Sequence, residues 1–120
     1  MINREERMKL VTRNEEMILL AVLRQDGQAY GVSIREMIQQ VTGEEWSFAS
    51  IYEPLAKLAR NGLVEKYRGD ATPERGGRHK VLYRITPAGR AALAELQMIQ
   101  REMWADVGAE RLTGRETGET

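Results

Sequence analysis

Apolar and polar positions follow two different periods along this chain, and the change of period predicts the order of its elements. Up to Gly62, apolar residues recur at spacings of three and four, which is typical of helices that bury one face. From Leu63 to Ile85 they form two short, partly alternating runs, as in strands. After Thr86 the helical spacing returns. The chain is therefore predicted to be mainly α-helical, with one small β-hairpin before its last helix.

The first two helices are bounded by residues that favour helix ends. Asn14 is a candidate N-cap with acids in the turn that follows, and Gly27 ends the first helix. The second helix follows a Tyr-Gly pair and stops at Gly43. Its apolar face consists of Ile34, Met37, Ile38 and Val41. Residues 1–13 are predicted to form either an N-terminal arm or an extra helical turn, and the pattern leaves both open.

The third helix combines an apolar stripe with an opposite face of small and polar residues. Ser47 is its candidate N-cap and Gly62 its stop signal. Pro54 lies between them and removes a backbone donor, so a bend is expected there. The stripe consists of Ile51, Leu55 and Leu58. The remaining sides carry Ala49, Ser50, Tyr52, Glu53, Ala56, Lys57 and Arg60.

The segment "GDATPERGGRH", between the two strand-like runs, is too long for a tight turn and is predicted to be a protruding loop. Thr86 and Pro87 then predict the start of a fourth helix, which continues to about residue 107. Its apolar stripe consists of Leu93, Leu96, Ile99, Met103 and Val107, with Trp104 beside it. This stripe is longer than a core filled by three helices requires.

These elements are in the order of a winged helix-turn-helix domain with an added C-terminal helix. We expect an N-terminal arm or helix at residues 1–13 and the winged domain at 14–86. The added helix is expected at 87–108 and a disordered tail at 109–120. In this arrangement the third helix enters the major groove of DNA, and the loop between the strands is the wing.

The distribution of charge changes what the composition implies. The 18 basic and 18 acidic residues cancel over the whole chain. From Ser47 to Arg90, however, nine basic residues face four acidic ones, which makes the third helix and the wing an electropositive module between acidic flanks. The longest apolar stretch, Met17 to Leu23, is too short to span a membrane, and no signal-peptide pattern precedes it. A cytoplasmic protein is expected.

The sequence contains few of the residues from which catalytic and metal sites are built. The chain has no cysteine and a single histidine, His79, so neither a nucleophilic triad nor a zinc site can be assembled. The pair of glycines in the wing is flanked by strand-like residues and precedes no helix, unlike a phosphate-binding loop. We therefore expect no enzyme activity, no cofactor and no metal.

Nucleic-acid binding is the chemistry that the third helix and the wing suggest. Small side chains let a backbone approach a groove floor, hydroxyl groups donate to phosphates or base edges, and a carboxylate accepts from cytosine. The DNA-binding residues predicted are Tyr30, Ser47, Ala49, Ser50, Tyr52, Glu53, Lys57, Arg75, Arg78, His79 and Lys80, with Arg60 towards the flanking backbone. The alternatives are a plain surface helix, a solvated loop and, for Tyr30, a simple helix start.

Three stretches resemble, in order and spacing, the PadR family of bacterial transcriptional regulators. They are "ILLAVLRQDGQAYGVSI", "SIYEPLAKLARNGLVEKY" and "GGRHKVLYRITPAGRAAL". The match covers roughly residues 15–96. This sequence departs from the family at Glu53, because members commonly have proline directly after the tyrosine of the recognition helix, whereas here proline follows at position 54.

The resemblance implies a homodimer that represses transcription by binding a palindromic operator. Short members dimerise through the C-terminal helix and release DNA when a small aromatic or lipophilic effector binds. The residues expected at the dimer interface or effector site are Leu96, Ile99, Met103, Trp104 and Val107. For Trp104 both roles stay open, packing in a dimer seam or stacking on a flat ligand. The alternative function is a winged-helix module that binds protein partners and no DNA.

Overall fold

The computed structural model describes residues 11–71 and 79–114. Its elements are α1 (Arg13–Arg24), α2 (Gly31–Thr42), α3 (Phe48–Arg60), β1 (Val64–Ala71), β2 (His79–Ile85), α4 (Pro87–Trp104) and α5 (Ala109–Thr113). The two strands form one antiparallel sheet. The predicted fold class, a mainly helical domain with a hairpin wing and a C-terminal helix, is confirmed.

The core lies between the three N-terminal helices and the base of the hairpin. The stripe predicted on α3 is completely buried, and it packs against the inner faces of α1 and α2. The largest fully buried side chains are Ile18, Leu19, Val22, Ile34, Ile51, Leu55, Leu58 and Leu63. Because α3 is anchored along one narrow stripe, the rest of its circumference is left for other contacts.

Helix α1 begins before the residue that we expected. Its N-cap is Thr12, whose Oγ1 accepts a hydrogen bond from the Glu15 amide at 3.2 Å. The Glu15 carboxylate accepts one in return from the Thr12 amide at 2.9 Å. This reciprocal capping box satisfies two backbone donors at once, so it outweighs the single cap that Asn14 can offer. The prediction of Asn14 as the cap is wrong.

Helix α3 confirms its predicted cap and continues through its proline. The Ser47 Oγ accepts from the Ser50 amide at 3.2 Å, and Pro54 lies inside the helix, which reaches Arg60 without a break. Gly62 then adopts a positive φ of 77°, a conformation that glycine accepts without strain. The helix therefore presents a continuous surface along its whole length.

Both strands of the hairpin extend further into the predicted loop than expected. The strands pair from Val64 opposite Ile85 out to Ala71 opposite His79, with an irregularity after Arg68. His79 was predicted in the loop and is instead the first residue of β2. A bridge from the Tyr83 amide to the Ala29 carbonyl, at 2.8 Å, ties β2 to the turn between α1 and α2. The base of the wing is thereby fixed to the helical body.

Helix α4 is joined closely to the body at its start and leaves it towards its end. Thr86 is the N-cap, as predicted, and its hydroxyl donates to the Gly62 carbonyl at 2.6 Å. A Cβ at Gly89 would overlap the Leu63 carbonyl, so only glycine allows this approach. The helix ends at Trp104, earlier than predicted, because Ala105 has a non-helical ψ of 133° and Asp106 follows with a positive φ of 64°.

The segment that follows α4 contains one more short element. Helix α5, Ala109–Thr113, lies where a tail was predicted from position 109, and residues 115–120 of that tail lie outside the described residues. The molecule measures 66 × 35 × 22 Å, which is elongated for a chain of this size. Across the described ranges, no helix is both long and apolar enough to cross a bilayer.

Candidate nucleic-acid interface

The outward face of α3 carries the side chains predicted to meet DNA. With Ile51, Leu55 and Leu58 pointing inward, the opposite side of the helix is exposed to solvent. The exposed residues are Ala49, Ser50, Tyr52, Glu53, Ala56 and Arg60, and the cap Ser47 is exposed as well. The small side chains on this side let the helix backbone approach the floor of a groove closely, so the helix can enter the groove.

One flank of α3 leans on α1 through an ion pair. The Lys57 Nζ lies 3.1 Å from the Glu15 Oε2, and Glu15 is only 5% exposed. The same carboxylate caps α1 through the Thr12 amide. Lys57 is predicted to contact phosphate, yet in the free protein its charge compensates a nearly buried carboxylate. Releasing it would leave that carboxylate without its cation, so the ion pair competes with any phosphate.

The other flank of α3 leans on α2 through aromatic rings. Phe48 and Tyr52, one turn apart, stack with centroids 6.2 Å apart. The Arg35 guanidinium lies 4.6 Å from the centre of the Phe48 ring. It also pairs with the Glu45 carboxylate at 3.1 Å and donates to the Trp46 carbonyl. These contacts fix the first turn of α3 against the helix that precedes it.

Three predicted residues meet at the start of α2. The Tyr52 hydroxyl rests against Gly31, where any Cβ would overlap it. Tyr30 is the N-cap of α2, and its amide donates to the Ser33 Oγ at 2.9 Å. The Lys80 Nζ, from β2, lies 4.1 Å from the centre of the Tyr30 ring. A cation and two tyrosines therefore surround a helix N-terminus, an arrangement suited to a phosphate group.

Burial changes the pKa of Tyr83, which lies near Tyr52. The pKa of Tyr83 is raised above its usual value of 10.0, first because burial disfavours the charged phenolate and second because of the neighbouring Tyr52. Tyr83 therefore stays neutral and contributes packing and a polar tip.

Part of the predicted wing cannot be placed. Arg75 and Arg78 lie outside the described residues, and only the backbone of His79 is described. Lys80 is the one predicted wing residue whose side chain is seen, and it points to Tyr30. Within the described ranges, no cluster of His, Asp or Glu side chains is arranged to hold a metal ion.

The residues predicted for dimerisation or effector binding lie along the outer half of α4 and just after it. Leu96, Ile99 and Val107 are partly buried, whereas Met103 is 75% and Trp104 57% exposed. Nearer the body, the Gln100 side-chain amide donates to both Glu16 carboxylate oxygens, at 3.0 and 2.9 Å. Beyond this contact, large apolar side chains lie in solvent.

Two residues of the site were not predicted from the sequence. Phe48 follows the cap directly and precedes Tyr52 by four positions, a spacing that places both on one side of a helix. That signal was readable. Arg35 had no such signal, because its partners Glu45 and Trp46 come next to it only through the turn between α2 and α3.

Comparisons with known proteins agree with this geometry. The model of the transcriptional regulator PadR-like family matches residues 19–95. A complex structure of RosR from H. salinarum superposes with a TM-score of 0.68 at 22% identity, covering 92% of this chain and 89% of that one. A second RosR complex gives 0.66 at 27% identity, covering 91% and 88%.

A PadR-like transcriptional regulator from Bacillus cereus gives a TM-score of 0.63 at 22% identity, covering 88% of this chain and 92% of that one. A search of curated proteins found no match. These structures share the fold of the present chain over nearly its whole length.

Proposed function

The chain belongs to the PadR-like family of transcriptional regulators, and we propose that it represses transcription as a homodimer bound to a pseudo-palindromic operator. Membership makes it a DNA-binding regulator and not an enzyme.

The observation that carries the DNA-binding mode is the asymmetry of α3. One stripe is completely buried, and the opposite side exposes small and polar residues beside the electropositive segment of the chain. The recognition helix of a helix-turn-helix domain needs this division, because one side must be held by the body while the other reads base edges. We assign base contacts to Ser50 and Glu53, and phosphate contacts to Tyr30, Arg60 and Lys80.

The homodimer is supported by the outer half of α4. Met103 and Trp104 expose large apolar surfaces at the C-terminal end of α4. A second copy placed symmetrically would remove them from water, and symmetric dimers are the commonest oligomers of soluble proteins. Each α3 would then occupy a major groove, with the two half-sites about 34 Å apart, one turn of DNA.

The same end of α4 is the proposed effector site. Trp104 is a flat, exposed ring next to the flexible side chain of Met103, and together they suit an aromatic or lipophilic cation. The proposed dimer has one conformation that fits the operator and one that does not. Such a ligand would release DNA only if its affinity for the second conformation is higher than its affinity for the first. Loss of fluorescence-detected ligand binding in Trp104→Ala is the expected result, and unchanged binding would remove Trp104 from the proposed effector site.

The decisive experiment is selection of duplexes from a random pool, followed by titration of the selected duplex at several salt concentrations. We expect a sequence with two-fold symmetry and an affinity that falls steeply with salt. Sedimentation of the complex should give two chains per duplex. Replacing Arg78 and Lys80 together should flatten the salt dependence, and an unchanged slope would exclude the wing from the contacts. If no duplex binds even at low salt, the chain is instead a module for protein partners.

A further inference from the structure

Phe48 is an apolar ring exposed in the first turn of α3, beside the buried stripe and on the flank that faces α2, one turn before Tyr52. It is the first residue of the helix, directly after the Ser47 cap, and 48% of it is exposed. It takes no part in the buried core. An exposed apolar ring of this kind is expected to contact an apolar group of a binding partner.

The ring is held in place although it is exposed. The Arg35 guanidinium lies 4.6 Å from its centroid, and that guanidinium is itself anchored by Glu45 and by the Trp46 carbonyl. Tyr52 stacks beside it, with its hydroxyl resting on Gly31. A side chain fixed in this way loses little conformational freedom on binding, so its contact surface is ready for a partner.

We propose that Phe48 recognises the C5 methyl group of a thymine in each half-site of the operator. This inference rests on the proposed DNA-binding mode of α3. The N-terminal residues of a recognition helix are the ones that contact base edges, and Phe48 is the first of them. The ring has no donor or acceptor, and the thymine methyl is the apolar group that base edges display in the major groove. Phe48 is thus a specificity-determining residue.

The test replaces thymine with uracil in the selected duplex, one position at a time. Uracil keeps every hydrogen-bonding group of thymine and lacks only the methyl. At one position in each half-site, uracil should weaken binding about fourfold, the equivalent of burying one methyl group, and about fifteenfold when both half-sites are changed. Elsewhere in the duplex the substitution should have little effect.

Three variants at the same residue separate recognition from structure. Phe48→Ala should bind the thymine and uracil duplexes equally, whereas Phe48→Tyr and Phe48→Leu should keep a preference for thymine. Since each preference is a ratio within one variant, a change in folding stability cancels. An unchanged preference in Phe48→Ala, or no uracil-sensitive position in the wild-type protein, would overturn the inference while leaving DNA binding intact. Failure to bind any duplex would instead contradict the proposed function.

Discussion

In the three-helix body Leu55 and Leu58 are fully buried, whereas at the end of α4 Met103 is 75% and Trp104 57% exposed. Both regions show apolar residues at the same helical spacing in the sequence. The spacing therefore identifies a face that will be covered, and it does not say whether the cover comes from the same chain. In the body the chain covers itself. At the end of α4 the described residues leave these side chains uncovered, and the proposed homodimer would supply the cover.

The largest effect is expected in the body. Changing Leu55 to Ala removes a fully buried side chain at the centre of α3 and leaves a cavity. We expect the free energy of unfolding to fall by about 2–5 kcal/mol, as measured by urea denaturation. A loss below about 1 kcal/mol would mean that the body tolerates a gap, and the contrast with α4 would weaken.

The junction between the two regions should come next. Changing Gly89 to Ala places a Cβ against the Leu63 carbonyl, which is backbone and cannot move aside easily. We expect a loss of about 1–3 kcal/mol in the same measurement. Arg90→Ala is the control on the same turn, because Arg90 is exposed and its replacement should change stability by less than about 0.5 kcal/mol. Equal effects of the two variants would contradict the close junction.

At the end of α4 the effect should move from folding to association. Changing Trp104 to Ala should alter the free energy of unfolding of the dilute monomer by less than about 0.5 kcal/mol. The same change should weaken dimerisation, as measured by sedimentation over a range of concentrations. Val41→Ala is the matched control, since Val41 is also exposed and apolar but lies on α2. Should Val41→Ala weaken the dimer as much as Trp104→Ala, the interface has been placed on the wrong helix.

The smallest effect is expected from the hydroxyl group of Tyr83, and it appears only at alkaline pH. The raised pKa of Tyr83 means that the folded protein holds its proton above pH 10.0, where the unfolded chain has lost it. The stability that this gives is complete below pH 10.0 and is lost as the pH rises through the raised pKa. Tyr83→Phe should therefore lose less stability than the wild type between neutral and alkaline pH. Parallel pH profiles would show that Tyr83 does not ionise in this range.

Features set by neighbouring residues were predictable from the sequence. Ser47 and Thr86 were expected to cap their helices and do so, because a cap needs only a side chain and an amide three positions on. The apolar stripe of α3 was also predictable, because it depends only on the spacing of residues within one helix. The start of α1 was missed although its signal was local, since Thr12 and Glu15 form a capping box that outweighs Asn14.

Features that depend on contacts distant in the sequence were out of reach. The pairing of Lys57 with Glu15 exists only because α1 and α3 pack side by side, so the sequence presented Lys57 as an unengaged cation. The anchoring of Phe48 by Arg35 likewise depends on the turn after α2. The end of α4 at Trp104 follows from the backbone conformation of Ala105 and Asp106, which no spacing of apolar residues reveals.

The junction at Gly89 has a mechanical consequence. Helix α4 has 18 residues, so it is about 27 Å long, and its first turn is clamped to the body by Thr86 and Gly89. The hydrogen bonds from Gln100 to Glu16 hold the helix to α1 a second time, only one turn before Trp104. Each degree of rotation about the Gly89 junction would displace the Trp104 end by about half an ångström, so a rotation of more than a few degrees has to break these bonds.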